Sequence, residues 1–116
     1  MIYLASPYTH PESAVRQARY ELTVTALAIF LKQGELVYSP IVHTHASATR
    51  FNLPKDYQYW LEFNMHFLNC SSGLYILCID GWEHSLGVRS EIDEAARLGL
   101  PIKMFRLEED TLKEYK

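Results

Sequence analysis

The sequence predicts an α/β domain in which helices cover both faces of a parallel sheet, a three-layer sandwich of the Rossmann-like or flavodoxin-like type. Short apolar runs alternate along the chain with longer segments whose apolar residues recur at helical spacing, a pattern typical of such sheets. The chain has 116 residues, of which 48% are hydrophobic and 22% charged. One domain with a single core, spanning residues 1–116, is therefore expected.

The first half of the chain contains two predicted strands separated by a long helix. An apolar run at residues 1–5 is broken by a Ser-Pro-Tyr turn, which is the pattern of a buried strand. Apolar residues then recur at helical spacing from Val15 onward, until Gly34 ends the helix. Residues 36–38 are a second strand, and the polar stretch 41–54 is expected to be a loop with a short helical piece.

The second half repeats the alternation, and its clearest element is the apolar strand at residues 73–79. An aromatic-rich helix precedes this strand, and a further helix, a strand and a charged tail follow it. The predicted bounds are a helix at 55–69, a loop at 80–84, a helix at 85–98, a strand at 101–105 and a surface helix at 107–116.

Polar residues concentrate in three segments that each follow a predicted strand, at residues 6–10, 39–45 and 80–87. In parallel sheets of this kind, ligands bind beyond the carboxyl ends of the strands. The candidate site is therefore expected where these three segments meet.

Charge and composition exclude several classes of function. The formal net charge is −3, so no strongly basic face for duplex nucleic acid is implied. No apolar run is long enough to span a membrane, and the N-terminal segment is too short and too polar for a signal peptide. Cys70 and Cys78 lack the spacing of a disulfide framework or a zinc site, which favours a reduced, cytoplasmic protein.

The start of the helix at residues 85–98 is a candidate anion site. Ser85 is a suitable N-cap, which leaves the backbone amides of the first turn free at the positive end of the helix dipole. Gly87 has no side chain, so an anion could approach the backbone closely. An ordinary capped helix whose amides meet water is the alternative, and the sequence alone favours it.

Glu91 lies on the same helix at the edge of an apolar stripe formed by Val88, Ile92 and Ala95. Burial raises the pKa of such a carboxyl, and the helix dipole lowers it. This combination suits a nucleophile or a general base. A surface glutamate whose stem lies along the edge of the core is the alternative.

Two further polar side chains fall on apolar faces. Asn64 lies at the centre of the apolar arc of its helix, so its amide needs a partner or a cavity. It is expected either to be a satisfied core residue or to bond a ligand hydroxyl. Tyr3 on the first strand needs a partner for its hydroxyl, which a nearby carboxylate would supply, although core packing alone is the commoner explanation.

The remaining candidates are imidazole and indole rings in the polar segments. His43 and His45 have no accompanying cysteine or carboxylate cluster, so a bond to a base or phosphate is favoured over a metal. Solvated loop histidines are the simpler interpretation. Trp82 either stacks on a flat ring or shields its loop.

Several motifs together resemble the nucleoside 2-deoxyribosyltransferase superfamily over nearly the whole chain. They are Tyr-Leu-Ala-Ser-Pro-Tyr at residues 3–8, Asp-Gly-Trp at 80–82, and Ser-Leu-Gly-Val at 85–88 followed by Glu91. The last motif is similar to the 2′-deoxynucleoside 5′-phosphate N-hydrolases, and the Gly-Trp loop to a related, uncharacterised branch of small proteins. The resemblance implies a deoxyribosyltransferase-like fold.

The resemblance also implies a role for each motif residue. Glu91 is expected to attack C1′ of a deoxyribosyl group as the nucleophile, and Tyr3 to orient it through a hydrogen bond. Asn64 occupies the position of an aspartate that engages the sugar hydroxyls in the superfamily, and asparagine lacks the negative charge. The expected substrate-binding residues are Ser6, Pro7, Tyr8, His45, Asp80, Trp82, Ser85, Gly87 and Val88.

These expectations define an N-glycosidic bond hydrolase or transferase that acts on 2′-deoxynucleoside 5′-monophosphates without a metal or organic cofactor. The protein is expected to be a dimer or higher homo-oligomer, as is common in that superfamily, and to bind neither duplex nucleic acid nor a membrane. Two alternatives stay open: a non-catalytic nucleotide-binding or sensing module that keeps the pocket, and a small interaction protein whose pocket is vestigial.

Overall fold

The computed structural model describes residues 1–115, which form a five-stranded sheet, four α-helices and one short 3₁₀ helix. In chain order the elements are β1 (Ile2–Ala5), α1 (Ser13–Lys32), β2 (Val37–Tyr38), α2 (Pro40–Arg50), α3 (Tyr57–Asn69), β3 (Gly73–Leu77), the 3₁₀ helix (Trp82–His84), α4 (Leu86–Leu98), β4 (Ile102–Glu108) and β5 (Thr111–Glu114). The predicted α/β class is confirmed.

The strands lie in the order β2-β1-β3-β4-β5 within one sheet. β1 pairs in parallel with both β2 and β3, and β3 pairs in parallel with β4. The register places Ile2 opposite Gly73 and Leu74 opposite Ile102. The chain moves from β1 to β2 in one direction and from β3 to β4 in the other, so the strand order reverses between β1 and β3.

Side-chain alternation along the strands divides the core between the two faces of the sheet. The cluster under α3 and α4 is formed by Tyr3, Ala5, Leu68, Leu74, Ile76, Val88 and Ala95. The cluster under α1 is formed by Leu4, Ala26, Phe30, Val37, Tyr75, Leu77 and Ile79. All five residues of β3 are buried, as expected for a strand that is covered on both faces.

The charged tail contains a strand and not the surface helix predicted for residues 107–116. β4 continues to Glu108, and β5 returns antiparallel to it with Leu107 opposite Leu112. Both leucines pack against the core cluster under α1, and this tertiary contact outweighs the charged composition of the segment. Lys116, which also belongs to the predicted helix, lies outside the described residues.

The polar stretch 41–54 is mostly helical, because α2 has 11 residues and runs from Pro40 to Arg50. The hydroxyl oxygen of Ser39 accepts a hydrogen bond from the Val42 amide at 3.1 Å. Serine at the N-cap followed by proline in the first turn is a favourable start for a helix. The predicted loop is therefore wrong for most of this stretch.

Candidate active site

A cleft lined by both polar and apolar residues opens at the carboxyl edge of the sheet, near the point where the strand order reverses. The segments that follow β1, β2 and β3 line it together with α3. Its empty space is about 610 Å³, including the part open to solvent, and small-molecule sites usually measure about 300–1,000 Å³. The predicted site residues that line it are Ser6, Tyr8, His45, Asn64, Ser85, Gly87 and Glu91.

Glu91 lines this cleft although only 5% of its surface is exposed. The hydroxyl of Tyr3 donates a hydrogen bond to Glu91 Oε2, and Tyr3 is itself fully buried. The fold thus brings β1 and α4 together so that two residues 88 positions apart in the sequence form one buried pair. Glu91 lies deeper than the edge position that the helical pattern predicts.

Burial changes the acid–base properties of this pair. Desolvation raises the pKa of Glu91 to about 8, and the hydrogen bond from Tyr3 offsets only part of the rise. Burial and the neighbouring carboxyl also raise the pKa of Tyr3 well above its usual value. Within residues 1–115, no lysine or arginine forms an ion pair with Glu91. The carboxyl is therefore protonated at neutral pH, and a positive charge placed beside it would favour its ionised form.

The start of α4 forms the second part of the site. The Ser85 hydroxyl oxygen accepts a hydrogen bond from the Val88 amide at 3.2 Å, as an N-cap does. The Val88 side chain is buried, and its amide is the donor in this bond to Ser85. Gly87, in the first turn of α4, lines the cleft. Because glycine has no side chain, a ligand in the cleft could approach the positive end of the helix dipole closely.

Tyr8, His45 and Gln17 form a hydrogen-bonded row at the cleft. Tyr8 Oη lies 2.7 Å from His45 Nδ1, and Gln17 Oε1 lies 2.9 Å from His45 Nε2. The buried imidazole stacks on Tyr20 with a centroid separation of 3.9 Å. Burial lowers the pKa of His45, and the charge of Arg16 lowers it further. His45 is thus a neutral ring in a fixed position and not a solvated loop histidine.

Asn64 lies on α3, half-buried, at the wall of the cleft. It also borders a small adjoining cavity together with Gly87 and Glu91. A polar side chain at this wall agrees with the ligand-facing alternative for Asn64 better than with a satisfied core residue.

The other predicted residues lie outside the cleft. Trp82 and Val88 border a separate cavity, which meets the cleft at Ser85. Asp80 is exposed in the loop after β3, and Pro7 is buried under the turn after β1. These four residues are therefore not among those that line the cleft, and their contact with a substrate stays a prediction.

The cleft also contains residues that the sequence analysis did not select. Lys55, Tyr57 and Trp60 line it from the start of α3. The Trp60 indole donates to the Pro54 carbonyl at 2.8 Å, and Lys55 Nζ donates to the Leu53 carbonyl at 2.9 Å. Their signal in the sequence is an aromatic cluster directly after a polar stretch, since aromatic rings often line small-molecule sites.

The chemistry available in this part of the chain comes from carboxyl, hydroxyl, amide and imidazole groups. Across residues 1–115, no three histidine, cysteine, aspartate or glutamate side chains are grouped so as to hold a metal ion. No helix in the same range has the length and apolar character needed to cross a membrane.

The fold and the cleft define an α/β domain with a cavity at the switch point of a mostly parallel sheet. The chain belongs to a family described as a domain of unknown function, DUF1937, whose model matches residues 1–107. The match therefore includes every residue of the cleft. No match to the chain is found among the curated proteins.

Proposed function

We propose that the protein cleaves or transfers the N-glycosidic bond of 2′-deoxynucleoside 5′-monophosphates, with Glu91 as the nucleophile. The observation that carries the proposal is the buried pair of Glu91 and Tyr3 in a cleft that also borders the start of α4. A carboxylate held under a sugar stabilises the positive charge that develops at C1′ when such a bond breaks. The motif resemblance to the nucleoside 2-deoxyribosyltransferase superfamily supports the same assignment.

The proposed substrate lies along the cleft with its 5′-phosphate at the start of α4. Ser85 and the Gly87 amide would hold the phosphate, and the sugar would lie over Glu91, one helical turn further on. Asn64 borders the same region and would bond a sugar hydroxyl. The base would then extend towards Tyr8.

The reaction proceeds in two balanced steps. Glu91 first loses its proton, and its carboxylate then forms a bond to C1′ while the C1′–N bond breaks; the base leaves with the electron pair and takes up a proton. In hydrolysis, water then attacks C1′, which restores the carboxylate and releases 2-deoxyribose 5-phosphate and a proton. In transfer, a second base takes the place of water. Tyr3 holds the carboxylate in position through both steps.

A nucleotide-binding or sensing module without turnover is the second candidate, and one observation favours it. At neutral pH the cleft presents a protonated Glu91, whose pKa is about 8, and a neutral Asn64 at the position of the superfamily's aspartate. A site with so little negative charge stabilises an oxocarbenium ion poorly. Its hydrogen-bonding groups would nevertheless recognise a nucleotide.

The proposal includes the expected setting of the protein. The carboxyl, hydroxyl and amide groups supply the chemistry, so the reaction needs neither a metal nor an organic cofactor. Cys70 and Cys78 are both free, which suits a reduced, cytoplasmic compartment. Assembly into a dimer or higher homo-oligomer is part of the proposal and rests on the resemblance alone.

Incubation of the purified protein with a panel of deoxynucleoside 5′-monophosphates, followed by chromatography of released base, tests the proposed function. Wild-type protein is expected to release base, and Glu91→Gln to lose at least about 100-fold in turnover because its amide cannot act as the nucleophile. Glu35→Gln is the matched control, since Glu35 also accepts a tyrosine hydrogen bond, from Tyr75 at 2.7 Å, outside the cleft.

Release of no base by the wild type contradicts the enzymatic proposal. If nucleotides then raise the melting temperature without being consumed, the binding module is the better assignment. Asn64→Asp in parallel shows whether the missing charge limits the reaction, because a gain in turnover in this variant would locate the deficit at that position.

A further inference from the structure

We infer that Tyr8 presents only a hydrogen-bond acceptor to the cleft, so that the site selects bases with an exocyclic amino group, such as cytosine and adenine, over their oxo counterparts. The inference rests on the proposed function, because that function assigns the phosphate and the sugar to the α4 end of the cleft and leaves the opposite end for the base.

The two ends of the cleft have different neighbours. One end adjoins a small cavity lined by residues that include Gly87 and Glu91. The other end adjoins a cavity whose lining includes Gln17 and His45. These two cavities share no lining residue, so they adjoin different parts of the cleft. Groups bound at α4 therefore leave the end at Tyr8 and His45 for the base.

The hydrogen bonds of His45 fix the position of its ring proton. Gln17 Oε1, which lies 2.9 Å from Nε2, can only accept, so Nε2 carries the proton. In the neutral ring Nδ1 is then bare, and it accepts the proton of the Tyr8 hydroxyl across 2.7 Å. Stacking on Tyr20 holds the ring in this orientation. Because burial lowers the pKa of His45, the ring stays neutral above about pH 7.

The Tyr8 oxygen, with its proton committed to His45, has only lone pairs left for a ligand. An exocyclic amino group donates to such a lone pair. An oxo base places a carbonyl oxygen against the Tyr8 oxygen, and neither atom has a proton to donate. Both acceptors are then removed from water without a hydrogen-bond partner. Tyr8 is in this sense a specificity-determining residue. Gln17 and His45 determine that its oxygen acts as an acceptor and not as a donor.

Binding to a Glu91→Gln protein, which cannot consume the nucleotide by the proposed route, tests the inference. Isothermal titration calorimetry compares dCMP with dUMP and dAMP with dIMP at about pH 8, where His45 is neutral. The amino-bearing nucleotide of each pair is expected to bind about tenfold more tightly. Tyr8→Phe in the same background is expected to erase this preference. Gln17→Glu is expected to keep it, because a carboxylate can also only accept from Nε2.

Tyr75→Phe is the matched control, since the Tyr75 hydroxyl donates to Glu35 outside the cleft and its loss should leave the preference intact. Equal affinities within each pair, tighter binding of dUMP and dIMP, or a preference that survives Tyr8→Phe overturns the inference. Failure of every nucleotide to bind overturns both the inference and the proposed function. Selective binding without turnover by the wild type overturns only the enzymatic proposal.

Discussion

Glu91 and Glu35 each accept a hydrogen bond from a tyrosine, yet only Glu91 is buried away from solvent. Desolvation raises the pKa of Glu91 from 4.5 to about 8, so between these values the folded protein holds a proton that the unfolded chain releases. Binding of this proton stabilises the folded state relative to the unfolded chain. This contribution to the free energy of unfolding is complete below about pH 4.5 and is lost as the pH rises through about 8.

Glu91→Gln should remove this pH dependence, because an amide does not titrate. The free energy of unfolding, measured in urea, is expected to fall in the wild type relative to the variant by about 2–4 kcal/mol between about pH 5 and pH 9. Glu35→Gln serves as the control and should follow the wild type across the range. A constant difference between wild type and Glu91→Gln would contradict the raised pKa.

The sequence indicates which polar residues are unusual better than it indicates which residues they hydrogen-bond. Tyr3 and Glu91 each stand out because a polar group falls beside an apolar surface, but their pairing was expected from the family resemblance and not from the residue pattern. The packing of α4 beside β1 forms that hydrogen bond. Tyr8, His45 and Gln17 lie on three separate segments, and the sequence contains no pattern that joins them.

Element prediction succeeded where apolar periodicity is strong and failed where tertiary contacts decide. α1, α4 and β3 follow their patterns closely. α2 buries only a proline, a histidine and an alanine, so it has no apolar stripe to identify it. β5 has one apolar residue, Leu112, and it forms because its backbone can pair with the free edge of β4. The strand ends located the site, including His45 on α2, whereas Lys55, Tyr57 and Trp60 at and just before the start of α3 were not predicted.

The two serine caps separate helix stability from ligand recognition. Ser85 caps α4 and Ser39 caps α2, with hydrogen bonds of 3.2 and 3.1 Å from the respective amides. Ser85→Ala and Ser39→Ala are each expected to lower the free energy of unfolding by about 1 kcal/mol. Only Ser85→Ala should weaken binding of dAMP relative to deoxyadenosine, because the proposed function places the phosphate at the start of α4 and not at the start of α2. Calorimetry gives the ratio of the dAMP affinity to the deoxyadenosine affinity for each variant. An equal change of this ratio in Ser85→Ala and Ser39→Ala would contradict the phosphate assignment.

At the scale of the whole molecule, the cleft and the antiparallel edge strand β5 lie at different parts of the sheet. The cleft lies at the carboxyl ends of β1 and β3, between which the strand order reverses, whereas β5 lies beyond β4 at the far end of the strand order. The family match ends at residue 107, before β5 begins, and still covers the whole cleft. The antiparallel edge strand β5 therefore contributes no residue to the lining of the cleft.

Leu112→Ala should lower the stability of the protein without changing its affinity for a nucleotide. Leu112 is half-buried against the core cluster under α1, and its truncation is expected to cost about 1 kcal/mol in the free energy of unfolding. Lys113→Ala, which removes only an exposed ion pair to Glu108 at 3.2 Å, should change the stability by less than about 0.5 kcal/mol. Urea unfolding and calorimetry on the same samples measure both quantities. A folded Leu112→Ala protein with weakened nucleotide binding would show that the far edge of the sheet does act on the cleft.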